Sequence, residues 1–404
     1  MDTITHAIAG ALIAKAAFKG GDLLPAIPVN KKRVVSWTLM LGAIFPDSDV
    51  VRDFFSANEM LIVTWHRSIT HSLLCLPIWS ALLAALTLAI CRWRKWESPS
   101  LAALFGLWAV GILSHIFLDL VTTFGTMIWS PLGWDRPAWD ILFIVDFSFT
   151  AILLIPQLLA WAYEDPEHVR RRALFLWLIF MPAPLAIAKI AAIVGAPTSN
   201  NAILVATVLF TALFLVPAIG GWGLQIPYVI WNRVGLGLAI VYLAVATFAH
   251  HMALERVRKF AATENVEALN IAALPFPPSL WHWDGLVLAR HGVYELRMDL
   301  SDAFFSKAAQ SSDPPGTGAI EHTFYPEAPM NPWIQKARNS PNVQKFLWFA
   351  RFPVARFHKE GAEAVVEFID VRFPQIRRDR APSFEYRVRF SADGSILSEG
   401  WTKR

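Results

Sequence analysis

The sequence predicts an α-helical polytopic membrane bundle of about eight spans, residues 1–250, followed by a small soluble α+β domain, residues 251–404. Hydrophobic residues make up 55% of the chain and the mean hydropathy is +0.42, too apolar for an ordinary soluble protein of this size. That apolarity is uneven, because residues 1–250 hold nearly all the long charge-poor runs. Histidines and aspartates also fall at the ends of those runs rather than between them.

A helix of about 20 apolar residues crosses a hydrocarbon core about 30 Å thick. On that measure spans are expected near 3–18, 34–51, 71–91, 101–121, 141–162, 173–194, 201–220 and 229–249. The first two are short and polar at one end, as in segments buried against protein rather than lipid. Basic residues flank the first connection (Lys15, Lys19, Lys31, Lys32, Arg33), follow the third span (Arg92, Arg94, Lys95) and follow the fifth (Arg170, Arg171, Arg172). By parity these connections share one side, which the positive-inside rule makes cytoplasmic. The modest net charge of +4 thus reflects membrane topology, and no nucleic-acid partner is expected. Arg256, Arg258 and Lys259, basic on the opposite face, run against this count. The two cysteines, Cys75 and Cys91, share one apolar segment and suggest no disulfide framework.

Beyond Pro275, Pro277 and Pro278 the pattern changes. Residues 285–300 read as two short strands around His291-Gly292, residues 364–373 and 384–390 alternate at period two, and Asp393-Gly394 is a hairpin signal. Residues 331–350 read as helix.

His6 opens the first apolar run, Asp47 and Asp49 close the second, His66 and His71 precede and open the third, and His115 and Asp119 close the fourth. Successive spans run in opposite directions, so all seven residues converge on one membrane face. Imidazoles mixed with carboxylates suit zinc first, with manganese or iron as alternatives, as one ion or two. His115 and Asp119 stand at i and i+4 on one helical face. Arg67, beside His66, offers a planar guanidinium to a phosphate, against the plainer role of snorkelling to headgroups. The Asp47-Ser48-Asp49 pair follows Pro46, which ends the helical pattern. Thr122, Thr123 and Gly125 are expected to shape the pocket floor. Asp146 reads either as a partner orienting a histidine or as a salt-bridge partner of Arg136. His250-His251 and Trp281-His282-Trp283 read as interfacial anchors, and His168 as a solvated loop residue.

The runs MDTITHAIAGALIA, LGAIFPDSD, WHRSITHSLL and SHIFLDLVTTFGTMIWSP resemble the four motif blocks of the YdjM-like membrane-bound metal-dependent hydrolases, over about the first 150 residues. The segment ALPFPPSLW and the domain after it resemble the C-terminal extension of part of that family. The resemblance implies metal-dependent hydrolase chemistry in a bacterial inner membrane. A more distant similarity to zinc-dependent phospholipase C-like proteins implies a phosphoester. Carried over residue by residue, it covers His6, Asp47, Asp49, His66, Arg67, His71, His115 and Asp119.

The expected activity is therefore hydrolysis of a phosphoester, with a lipid or lipid-linked substrate favoured by the depth of the site. Metal ligands are expected among His6, Asp47, Asp49, His66, His71, His115 and Asp119. Arg67 is expected on the anion, and one of Asp47, Asp49 or Asp119 as general base. The cluster is expected on the non-cytoplasmic face. The alternatives are a metal or ion transporter, since intramembrane His and Asp also mark ion pathways, and a non-catalytic scaffold stapled by metal.

Overall fold

The computed structural model describes residues 1–17, 29–56, 58–193, 200–277, 279–300, 321–373 and 384–402, so Lys19 and Pro278 lie outside the described residues. Among these, four helices are long and apolar enough to cross a membrane: Leu76–Trp93, Leu101–Leu120, Val169–Lys189 and Tyr228–Thr263. Thr3–Ala17, Phe147–Tyr163 and Ile203–Ile219 are shorter apolar helices. The helical region of the expectation is present, with fewer full-length spans than eight. The reasons are local. The second apolar run forms α2 (Val29–Ile44), which opens with three basic residues and gives way at Phe45–Val50 to a 3-10 turn carrying Pro46. The third run begins as a 3-10 turn at Ile69–His71 and becomes α-helical only from Leu76.

Three helices set the frame of the site. α1 (Thr3–Ala17) packs on α2, and α2 packs on Leu101–Leu120, here α6 after α3 (Val51–Phe54), α4 (Leu61–Thr64) and α5 (Leu76–Trp93). Glycines let them approach closely, as is usual between membrane helices. A Cβ on Gly10 would lie 2.7 Å from the Ala43 Cβ, and one on Gly111 would lie 2.8 Å from the Gly42 Cα and from the Leu39 carbonyl oxygen. α6 is N-capped by Ser100, whose hydroxyl accepts from the Ala103 amide. α7 (Phe147–Tyr163) is capped by Asp146 in the same way at 3.0 Å, and Asp146 also accepts from the Tyr242 hydroxyl at 2.9 Å. Asp146 thus fills neither role expected of it: it orients no histidine and does not pair with Arg136.

α8 (Val169–Phe180), α9 (Ala183–Ile193) and α10 (Asn200–Ile219) pack behind α7. His168 pairs with Asp165 at 2.9 Å on the surface. α11 (Tyr228–Thr263) is 36 residues long and runs without a break through the expected boundary at 250/251. Its first part packs on α1 and α7, with Ala239, Tyr242 and Ala246 in one core with Leu12 and Phe149. Its last part lies on a sheet, where Ala253 and Val257 join Trp283, Val287 and Leu296. Trp283 is therefore a buried core residue rather than an interfacial anchor, and His250 lies against its ring.

Among the described residues, the C-terminal region forms two four-stranded antiparallel sheets, each in sequential order. The first comprises β1 (Asn270–Phe276), β2 (His282–Ala289), β3 (Gly292–Asp299) and β4 (His322–Pro326). The second comprises β5 (Pro353–Glu360), β6 (Glu363–Asp370), β7 (Glu385–Phe390) and β8 (Ile396–Trp401). The β2–β3 and β7–β8 hairpins fall where the turn signals put them. The expected helix over 331–350 is two, α12 (Pro332–Arg338) and α13 (Pro341–Phe349), because Pro341 starts the second. Between the sheets, Ala272, Leu286 and Val293 meet Phe352, Val354 and Val371.

Candidate metal centre

The expected ligands come from four places. His6 is on α1, Asp47 and Asp49 are on the turn after α2, His66 and His71 are on the stretch between α4 and α5, and His115 and Asp119 are one helical turn apart on α6. Among the described residues, Asp47, His71, His115 and Asp119 each offer a ligand atom within 4.8 Å of the other three. The Nε2 atoms of His71 and His115 are 3.1 Å apart. Asp119 Oδ2 lies 3.2 Å from His71 Nε2 and 3.4 Å from His115 Nε2. Asp47 Oδ1 lies 3.4 Å from His115 Nε2 and 3.8 Å from His71 Nε2. Ligands about 2.0–2.1 Å from a tetrahedral zinc stand about 3.3 Å from each other, so this spacing fits a single small cation.

Hydrogen bonding aims the imidazoles inward. His115 Nδ1 donates to the Ala43 carbonyl at 2.7 Å, which leaves a lone pair on Nε2 of the neutral ring. Thr70 spends its hydroxyl proton on Asp49 Oδ2 at 3.1 Å, so its oxygen accepts from His71 Nδ1 at 3.0 Å. The His71 Nε2 is therefore also a bare lone pair. Asp119 Oδ2 is buried and has no hydrogen-bond partner. Two imidazole nitrogens and two carboxylate oxygens, one of them buried without a partner, thus face one point, an arrangement that could hold a divalent cation. The donor set fits zinc, and it fits manganese or iron as well.

His6, Asp49 and His66 lie around this group rather than in it. The His6 ring stacks on His115 with centroids 3.6 Å apart, and its Nε2 donates to Asp119 Oδ1 at 3.2 Å. Asp49 accepts from His66 Nδ1 at 2.9 Å and from the Arg67 amide at 3.0 Å, and it stands 3.5 Å from His71 Nδ1. Span parity put all seven residues on one membrane face, and all seven are gathered here, four of them within the closest grouping and these three in contact with it.

Arg67 is 2% exposed and adopts a left-handed backbone with φ 63°. That conformation costs a non-glycine residue about 1–3 kcal/mol. The Arg67 amide bound to Asp49 and the Arg67 carbonyl bound by the Met127 amide at 2.9 Å hold it in place. Its guanidinium gives Nη2 to Asp119 Oδ1 at 3.0 Å and Nη1 to Thr122 Oγ1 at 3.1 Å, while Nε has no partner. The Met1 α-amino group also contacts Asp119 Oδ1. Of the expected floor residues, Thr122 anchors Arg67, Thr123 gives its carbonyl to Arg372, and Gly125 (φ 85°) lies so close to Arg136 that a Cβ would meet its carbonyl oxygen at 2.9 Å.

Sequence reasoning missed several supporting groups. Thr3 donates to Asp47 Oδ2 at 2.5 Å. Arg136 ties two loops together, donating to the carbonyls of Val63 (2.5 Å), Gly125 (3.1 Å) and His66 (3.3 Å). Phe124 is the roof: its ring lies against Arg67 and His66 on one side and against Phe349, Phe373 and Phe384 of the C-terminal region on the other. Arg372 adds Nη1 to the Thr123 carbonyl at 3.1 Å, and Arg351 forms a two-pronged pair with Asp140 at 2.8 and 3.0 Å. Burial raises the Asp140 carboxyl above the usual range, against the pull of Arg351. Thr70 and Thr3 carry the one usable signal, since each stands within three residues of an expected histidine.

A family model described as YdjM inner membrane protein matches residues 1–253. The curated proteins called Inner membrane protein YdjM from Escherichia coli (strain K12) and Shigella flexneri are each 29% identical over 180 residues, covering 43% of this chain and 80% of theirs. No solved structure matches. Apolar helices of spanning length and a family match over more than half of the 404 residues make this a multi-pass inner membrane protein that belongs to the YdjM family.

Proposed function

We propose that this chain is a metal-dependent hydrolase of a phosphoester, with zinc as the favoured ion and a lipid or lipid-linked molecule as substrate. The observation that carries the reading is the convergence of His71 Nε2, His115 Nε2, Asp47 Oδ1 and Asp119 Oδ2 on one point, where Asp119 Oδ2 is buried without a hydrogen-bond partner. A divalent ion held there supplies Lewis acidity toward a phosphoryl oxygen and brings water into the range of deprotonation near neutral pH.

The chain's own residues divide the remaining work. Arg67 is a buried cation whose Nε is unpartnered, which suits it to a phosphoryl oxygen while Asp119 and Thr122 fix its plane. Asp47 is the most exposed of the four clustered groups, at 11%, and Thr3 holds its outer oxygen. With His71, His115 and Asp119 left to hold the ion, Asp47 is the carboxylate we assign to take a proton from water. Phe124 keeps bulk water from the Arg67 side. We place the cluster on the non-cytoplasmic face, because α5 starts beside it and ends at Arg92, Arg94 and Lys95.

The number of donors favours a second reading. Four protein groups complete a tetrahedral shell, and closed four-ligand sites are those of structural zinc. Metal analysis and a generic phosphodiester assay on detergent-purified protein, beside His115→Ala and Asp47→Asn, separate the two. Near-stoichiometric metal in the wild type that is lost in His115→Ala, with turnover lost in Asp47→Asn while its metal is kept, supports the hydrolase. Metal without turnover against any phosphodiester, and metal lost in both variants, supports the structural staple. No metal in the wild type after reconstitution overturns both.

A further inference from the structure

A second cavity lies at the other end of the same helices. It encloses about 550 Å³ between α2, α5 and α6, walled by Trp37, Leu41, Ile90, Trp96 and Trp108, with Arg33 at its edge. On α2, Arg33 precedes Ala43, the residue that holds His115, by ten positions, about 15 Å of helix. The cavity therefore stands apart from the metal centre. Thr87, in its wall, accepts from the Trp108 indole at 3.0 Å and fixes that ring. Trp37, Leu41, Ile90 and Trp96 are exposed, so the wall opens outward along α2 and α5.

The charge around the opening has one sign. The start of α2 and the end of α5 carry Lys31, Lys32, Arg33, Arg92, Arg94 and Lys95, against one nearby acid in sequence, Glu97. Arg33 forms no ion pair among the described residues, whereas Arg67, Arg351 and Arg372 in the same chain all do. An apolar, indole-lined slot with cations at the interfacial end matches one class of molecule in an inner membrane, an anionic phospholipid. Its acyl chain fits along Trp37, Ile90 and Trp108, and its phosphate meets Arg33.

We infer that this cavity is a binding site for an anionic phospholipid of the surrounding bilayer, separate from the metal centre. The test is native mass spectrometry of the full-length protein in detergent, titrated with phosphatidylglycerol or phosphatidylcholine of the same acyl chains. Arg33→Gln removes the cation, and Ile90→Trp fills the slot from a position already exposed. Arg170→Gln is the control, an exposed basic residue on α8. The wild type and Arg170→Gln should retain one phosphatidylglycerol at least fivefold better than phosphatidylcholine. Both cavity variants should lose that preference while keeping the metal content and elution volume of the wild type. Equal retention of the two lipids by the wild type overturns the inference, as does undiminished phosphatidylglycerol binding in either variant. If Arg33→Gln fails to fold, Ile90→Trp alone decides.

Discussion

Replacing Asp49 with Asn tests whether this carboxylate orients ligands or is itself one. Asp49 accepts from His66 Nδ1, the Arg67 amide and the Thr70 hydroxyl at 2.9–3.1 Å, yet it is not among the four groups that share a centre. An Asn keeps one acceptor oxygen and sets an NH2 against donors. If its oxygen stays on Arg67 and Thr70, the NH2 faces His66 and forces that ring to change tautomer. In the opposite orientation Thr70 loses its acceptor, and the proton relay that bares His71 Nε2 is broken. Loss of such an outer partner typically costs 10–100-fold in metal affinity, about 1.4–2.7 kcal/mol. Competition between the purified protein and a chromogenic zinc chelator measures it directly. Affinity within about threefold of wild type refutes the orienting role. A loss as large as that of His115→Ala shows instead that Asp49 belongs to the ligand set.

Gly111→Leu should push α2 from α6 and pull Ala43 away from His115, since even a Cβ there meets Gly42 at 2.8 Å. The expected cost is about 1–3 kcal/mol or more, together with lost metal, and a thermal melt with metal analysis checks both. Arg372→Met leaves Asp370 buried without its cation and frees the Thr123 carbonyl, so thermal stability should fall by about 3–5 kcal/mol; an unchanged melt rejects this contact as a tie between the regions. Burial and then the neighbouring Glu295 push the Asp284 carboxyl up to about 7. An acid with a raised folded pKa loses stability as pH climbs from its unfolded value near 4 through about 7. Asp284→Asn should therefore gain on wild type by about 2–3 kcal/mol between pH 5 and pH 8, and parallel melts at the two pH values would disprove it by showing no change.

The helical region and the site were legible for different reasons. Hydropathy exposes a long helix such as Leu101–Leu120 directly, and span parity alone carries His71, His115 and Asp119 to one face. Parity gives a face but no radius. It cannot separate Asp47, which meets the histidines, from Asp49 two residues on, which turns away to the Arg67 amide. That division depends on a 3-10 turn at Phe45–Val50, where one residue of rotation swaps inside for outside. The glycine contacts that draw α1, α2 and α6 together leave no periodic signal, and Arg136 works through backbone carbonyls that no motif encodes. In the C-terminal region the hairpins were visible from their turns. The docking of Phe349 and Arg372 on the helical loops was not, because it joins residues more than two hundred positions apart.

The ring of Phe124 divides what this chain shares with its relatives from what it does not. The Shigella flexneri and Escherichia coli proteins have about a fifth of their length outside the match, about 45 residues, too little for eight strands and two helices. The ligand-bearing walls thus lie inside the family match to residues 1–253, while the ceiling above them lies in the part of this chain beyond it. The aromatic pocket of Phe349, Phe373 and Phe384 that receives Phe124 joins the family-matched helices to a region outside the match.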